Sequence, residues 1–315
     1  MSQFVKQDLL SSINDFIRAY DAHDNSFDYT SNYNFVTGHI SSLAAQFRNA
    51  ELSGMTKKEI ETELYRVREI IRFSPFMART LDWPRGYQGD FETIEYLYNG
   101  INKVLYNSFG YFVEEFALRS PTAQQHRNKV KYQADLLLKT IFSKDNPTIL
   151  SIGSGGSLDL RLLLPFITDK NFTFILNDMD NGALEFSKTK LSSLGEKCIY
   201  INENIIRQSQ IKTYAPFDLV ITGGVFDYLN EKAIILLLKN FRESLLKKGG
   251  KFFFTNIKKE NPIRVEIEYY GNWVLIERTE EDLMKLCLAA GYTSDEITIE
   301  LDSTQFTYLV TAVKQ

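Results

Sequence analysis

The chain has 315 residues, of which 44% are hydrophobic, 24% charged and 13% aromatic. That is the composition of a folded globular protein and excludes disordered, collagenous and coiled-coil classes. Thirty-six Lys and Arg against 40 Asp and Glu leave a net charge of −4. Residues 1–146 carry 17 basic and 18 acidic side chains, so neither half is the basic module that nucleic-acid phosphates require, and no nucleic-acid partner is expected.

The N-terminal MSQFVKQDLL has neither a charged leader nor a long apolar stretch, and no run reaches the ~18 apolar residues of a membrane span. The expected location is the cytoplasm, with no membrane partner. Cys198 and Cys287 sit far apart in apolar segments, and His23, His39 and His126 show no ligand spacing, so buried thiols and no metal site are expected.

From residue 1 to about 143 the apolar positions recur at helical spacing. Phe4, Leu9, Ile13, Phe16 and Ile17 line one helix; Ile60, Leu64, Val67, Ile70 and Ile71 line another after a Thr56 cap. Between these helical stretches and the next lies Leu81–Ile94, where two glycines bend a loop carrying Trp83, Arg85, Tyr87 and Asp90. Such a loop suits binding, with Arg85, Tyr87 and Asp90 as candidates, although Asp90 is equally placed to cap the following helix. A further helix after Pro121, with Val130, Ala134, Leu137 and Ile141, stops near Asn146-Pro147. This predicts a helical cap or substrate domain over 1–143, whose aromatics suit an apolar substrate cavity as well as a core.

Beyond Pro147, short β-rich runs alternate with helical ones: TILSIG, FTFIL, KCIYIN, FDLVIT and KFFFTN. Strands separated by helices imply parallel βαβ units, hence a doubly wound, Rossmann-like α/β domain over 144–315. ITIEL and FTYLVTAV, with a short turn between them, predict a C-terminal antiparallel hairpin.

The first strand runs into Gly153-Ser154-Gly155-Gly156-Ser157 and then a helix. Glycines there let the backbone turn sharply and approach a ligand beside the free N–H groups of a helix start. A dinucleotide fingerprint would place another glycine where Leu158 stands, which argues against a dehydrogenase. Asp178 and Met179 end the second strand, where the carboxylate can accept hydrogen bonds from the ribose hydroxyls of an adenosine ligand. Asp180 is better placed to cap the next helix. Thr222, Gly223, Asp227 and Tyr228 follow the fourth strand, at the sheet edge where open α/β folds bind ligands; Phe226, Tyr228 and Leu229 could equally be core.

Glycine turn, acidic second-strand end and terminal hairpin together resemble the class I S-adenosylmethionine-dependent methyltransferases over residues 146–315. The resemblance implies S-adenosyl-L-methionine as cofactor, held by Gly153, Ser154, Gly155, Asp178, Met179, Thr222 and Gly223, with Asn204 and Ile205 at the adenine. That family often has an acidic residue where this chain has Ser151. The PRGYQGD loop, FDLVITGGVFDYL and the run from Glu268 through Trp273 to Arg278 resemble a narrower bacterial family, the extracellular-factor (3-hydroxypalmitic acid methyl ester) biosynthesis methyltransferases. This implies O-methylation of a carboxylate, of a fatty or other organic acid, to a methyl ester.

An ionised carboxylate needs an anchor rather than a base. Arg85, Arg127 or Arg278 could supply a guanidinium fork, and Tyr87 or Tyr228 a further hydrogen bond; Arg85 and Tyr87 rank first. Methylation of a hydroxyl or amine would instead call on Asp90, Asp227 or His126 as base. A non-catalytic S-adenosylmethionine-binding regulator is the reading outside catalysis, and a homodimer through the helical half is an open expectation.

Overall fold

The computed structural model describes residues 2–315, and the chain folds as two compact units. The first comprises residues 1–123 and 262–274, the second 124–261 and 275–315. The sequence places the division at 143/144; the structure draws 124–143 into the sheet unit and returns 262–274 to the helical one.

In the helical unit the elements are α1 (Ser2–Asp21), α2 (Tyr29–Leu52), α3 (Lys57–Thr62), α4 (Tyr65–Ile71), α5 (Pro75–Asp82), α6 (Phe91–Asn99) and α7 (Phe109–Arg119). Local chemistry sets their ends. Thr56 and Glu59 form a reciprocal capping box, Ser74 accepts from the Met77 N–H ahead of Pro75 at the first turn, and Gly100 closes α6 at φ 62°. The single helix expected after Thr56 is broken between Thr62 and Tyr65, yet both pieces keep the predicted apolar face. Ile60, Leu64, Val67, Ile70 and Ile71 all enter the core around Phe16, Phe47 and Phe112.

α8 (Pro121–Ser143) leads into β1 (Thr148–Ile152), α9 (Leu158–Arg161), α10 (Leu164–Ile167), β2 (Thr173–Asp178), α11 (Asn181–Lys190), β3 (Cys198–Asn202), β4 (Phe217–Thr222), α12 (Glu231–Asn240) and β5 (Leu246–Ile257). α13 (Arg264–Gly271) belongs to the helical unit, where Val265, Tyr269 and Tyr270 join the core. α14 (Glu280–Ala289), β6 (Ile297–Leu301) and β7 (Thr307–Val313) complete the chain.

The seven strands follow the order β3-β2-β1-β4-β5-β7-β6. β1 to β5 are parallel, and β7 runs antiparallel between β5 and β6. Successive rows alternate faces. Ile175, Leu150, Val220, Phe252 and Ala312 lie in register on one face, and Leu176, Ser151, Ile221 and Phe253 on the other. Both faces are covered, which is why these strands are continuous apolar runs rather than alternating ones.

Candidate functional site

At the carboxyl ends of β1 and β2 the backbone makes a left-handed turn at every second residue: Gly153 (φ 61°), Gly155 (φ 51°) and Ser157 (φ 50°). Gly153 is required twice over, because a Cβ there would lie 2.4 Å from Val225 Cγ2. The Ser154 N–H donates to Asn177 O (3.1 Å), and Ser187 Oγ donates to Gly155 O (2.7 Å), fixing the turn to its neighbours.

The Gly155 N–H donates to Asp178 Oδ2 (2.8 Å), and the Asp180 N–H donates to Oδ1 (2.9 Å). Burial raises the Asp178 carboxyl above its ordinary value, against the pull of these two N–H groups. Each oxygen retains a free lone pair, so a vicinal diol is a fitting partner for a carboxylate short of water. Asp180 caps α11 through the Gly182 N–H, and Met179 is exposed, its carbonyl held by Asn202 Nδ2 at 3.0 Å. Asp180 is thus the cap that the sequence expects.

At the end of β3, Asn204 turns the chain: its Oδ1 accepts from the Ile206 N–H and its carbonyl from the Arg207 N–H. Ile205 is buried in the core. The same loop holds a residue the sequence did not single out. Gln208 has φ 53° and is buried with neither amide atom hydrogen-bonded, and nothing in the local sequence marks a glutamine for that conformation.

At the end of β4, Thr222 is buried and its hydroxyl has no hydrogen-bond partner, as is also true of Ser154 Oγ. Gly223 packs against α8, since a Cβ there would lie 2.2 Å from Gln133 Oε1. Gln133 Nε2 in turn donates to Asp159 Oδ2 (3.3 Å) in the first turn of α9. Burial pushes the Asp159 carboxyl up to about 6. Ser151 leaves β1 without a carboxylate before the glycines, whereas Asp159 supplies a buried one just after them. Its position at a helix start is the only signal the sequence gives.

Several candidate acceptor residues prove to be committed elsewhere. Asp227 Oδ1 accepts from the Ile257 N–H (2.8 Å), its Oδ2 faces Lys129 Nζ (3.4 Å), and its carbonyl accepts from the Ile276 N–H (2.8 Å). Asp227 thus fastens the loop after β4 from a buried position. Arg278 is spent likewise, donating to Phe226 O (2.9 Å), Leu229 O (2.6 Å) and Asn256 Oδ1 (2.5 Å). Tyr228 is 42% exposed. On α8, burial, with Lys129 and Arg127 adding to it, holds the His126 imidazole neutral, well below its usual range.

In the helical unit, Asp90 is buried and caps α6. Its Oδ1 accepts from the Thr93 N–H and from Arg79 Nη2, both at 3.0 Å. The capping reading therefore holds for Asp90. Arg85 lies over the Phe91 ring (4.8 Å) with Nη1 3.4 Å from Glu92 Oε1, and Tyr87 is 40% exposed beside it. Gln88 Oε1 accepts from the Val274 N–H (2.8 Å), tying the loop to the segment after α13.

No protein-family model matches the sequence, and no curated protein matches it. Among solved structures, the chain is similar to a "possible exported protein" from Bordetella parapertussis, at 13% identity and TM-score 0.59, over 98% of this chain and 96% of that one. It is also similar to magnesium protoporphyrin IX methyltransferase from Synechocystis, solved with bound SAH, at 10% identity and TM-score 0.50, over 70% and 93% respectively. The sheet and its covering helices are the Rossmann-like fold of the class I methyltransferases. No helix among the described residues is long and apolar enough to cross a membrane.

Proposed function

We propose that the protein is an S-adenosylmethionine-dependent methyltransferase acting on a small molecule. The observation that carries this is the pairing of the Gly155 N–H with Asp178 Oδ2 at the joined ends of β1 and β2. It leaves a partly dehydrated carboxylate beside a glycine turn, suited to a ribose diol. Two buried hydroxyls without partners, Ser154 Oγ and Thr222 Oγ1, together with the Asp159–Gln133 pair, offer further polar contacts for the amino-acid end of such a cofactor. Gln208 and Asn204 are proposed for the adenine. When bound, the cofactor supplies an electrophilic methyl group on a sulfonium; the protein's part is to orient the acceptor and exclude water.

For the acceptor, the finer reading is a carboxylate oxygen of an organic acid, ionised at neutral pH and needing no base. With Arg278 committed to backbone carbonyls, the proposed anchors are Arg85 and Tyr87, with Arg127 as the alternative. A second reading, methylation of a hydroxyl or amine, is favoured by His126, whose neutral imidazole is the state a general base requires.

The test is transfer of labelled methyl from S-adenosylmethionine to a panel of 3-hydroxy fatty acids, dicarboxylic acids and a small-molecule extract, followed by mild alkali. Label released as methanol, and lost in Arg85→Ala, supports the carboxylate. Alkali-stable label lost in His126→Ala supports the second reading. If calorimetry detects no S-adenosylmethionine binding, or if Asp178→Ala binds it as wild type does, the cofactor assignment fails.

A further inference from the structure

Within the helical unit, α2, α4, α5, α6, α7 and α13 surround a cleft with about 590 Å³ of empty space, its mouth included. Ile40, Ile71, Leu97, Val113 and Trp273 give it an apolar wall. Three of the hydroxyls on that wall share one character. Thr80 Oγ1 donates to Met77 O (2.8 Å), Ser120 Oγ to Ala117 O (2.8 Å) and Tyr270 Oη to Ile40 O (2.7 Å). Their hydrogens are spent on the backbone, and what they retain is acceptor lone pairs.

Glu266, on the first turn of α13, also lines the cleft, and its carboxyl accepts no hydrogen bond from the described residues. The cation acting on it, Arg48, directs its guanidinium to Pro262 O. A largely buried carboxyl without a partner is costly to leave in place.

We propose that this cleft binds a small, mostly apolar molecule carrying a primary amine, with the Glu266 carboxyl receiving the ammonium group. An ammonium brings three donors and no acceptor to a wall whose polar atoms mostly accept, and it supplies the charge that Glu266 lacks. Burial has driven the Glu266 carboxyl up to about 7, and a bound cation relieves that displacement. A carboxylate ligand meets the opposite situation, with two acids sharing an apolar space and few donors between them. An alcohol falls between the two. The inference concerns the helical unit alone and stands whether or not the sheet unit transfers methyl groups.

The experiment uses three probes of one shape, 2-naphthylmethylamine, 2-naphthalenemethanol and 2-naphthoate, titrated calorimetrically into the full chain at pH 7.5. The expected ranking is amine, then alcohol, then carboxylate, with the amine at least tenfold tighter than the carboxylate. Glu266→Gln is expected to weaken the amine at least tenfold and the alcohol less than threefold. Equal or tighter binding of the carboxylate overturns the proposal, as does failure of all three probes to bind below millimolar concentration. So does a Glu266→Gln protein that melts as wild type does and binds the amine unchanged. The wild-type ranking needs no variant to fold, and because methyl transfer is not read, the two readings fail separately.

Discussion

Replacing Asp227 with Asn tests whether this residue fastens the loop after β4. Asn retains an oxygen for the Ile257 N–H, so the substitution chiefly removes the charge opposite Lys129, whose side chain is 3% exposed, as is that of Asp227. Stranding one member of a buried pair costs about 3–5 kcal/mol. Urea unfolding of Asp227→Asn should therefore show a loss of about 3–5 kcal/mol at pH 7. Adding Lys129→Met should restore much of it, because an apolar side chain needs no counter-charge. A loss under about 1 kcal/mol at pH 7, or a double variant no more stable than Asp227→Asn, would refute the role given to the pair.

The Glu266 carboxyl makes a different pH prediction. Its native value of about 7 exceeds the unfolded 4.5, so the native state holds the proton more tightly. Its contribution is complete below pH 4.5 and is lost as pH rises to about 7, a swing of about 2–3 kcal/mol after allowance for its partial exposure. Glu266→Gln should match wild type near pH 4 and exceed it at pH 8; parallel stability curves for the two proteins would count against the buried acid. Gly153→Ala combines a left-handed φ with a Cβ 2.4 Å from Val225 Cγ2, for a loss of about 2–4 kcal/mol. Val225→Ala in the same chain should recover the steric part alone, which thermal melts can resolve. Gln208→Leu deletes two unpaired buried amide atoms and should leave stability unchanged or raised, while weakening S-adenosylmethionine in calorimetry. Unchanged affinity would remove Gln208 from the proposed adenine site.

Much of the fold was legible because its signals are local. Strand length, the helices between strands and the hairpin follow from short-range patterning, and Gly153, Gly155 and Asp178 stand where a strand-to-helix turn makes each chemically distinctive. The position of β7 between β5 and β6 was not legible, because a hairpin fixes pairing within itself but not which strand meets the sheet. Nor was the commitment of Asp227 and Arg278. In one dimension a charged residue near a strand end reads as available, and only burial shows that Lys129, Ile257 and three carbonyl oxygens have claimed it. Asp90 was ambiguous for a related reason, since a cap and a base are the same residue in the same place until the Arg79 contact is seen. Glu266 escaped notice because its significance lies in what does not touch it.

The return of residues 262–274 to the helical unit bears on how the protein is made. Tyr269 Oη donates to Glu51 (2.7 Å), Arg264 pairs with the same carboxylate, and Tyr270 reaches Ile40 O. All three contacts join residues more than 200 positions apart along the chain. During synthesis, the first seven helices emerge long before the segment that completes their core, and β1 through β5 must be translated in between. The helical unit therefore waits with an unfilled apolar seam, a state prone to association with other chains. For the same reason a fragment ending at residue 123 lacks Val265, Tyr269 and Tyr270 and is a poor surrogate for the unit. Separate expression would require residues 262–274 to be supplied, either by a grafted linker or as a second chain.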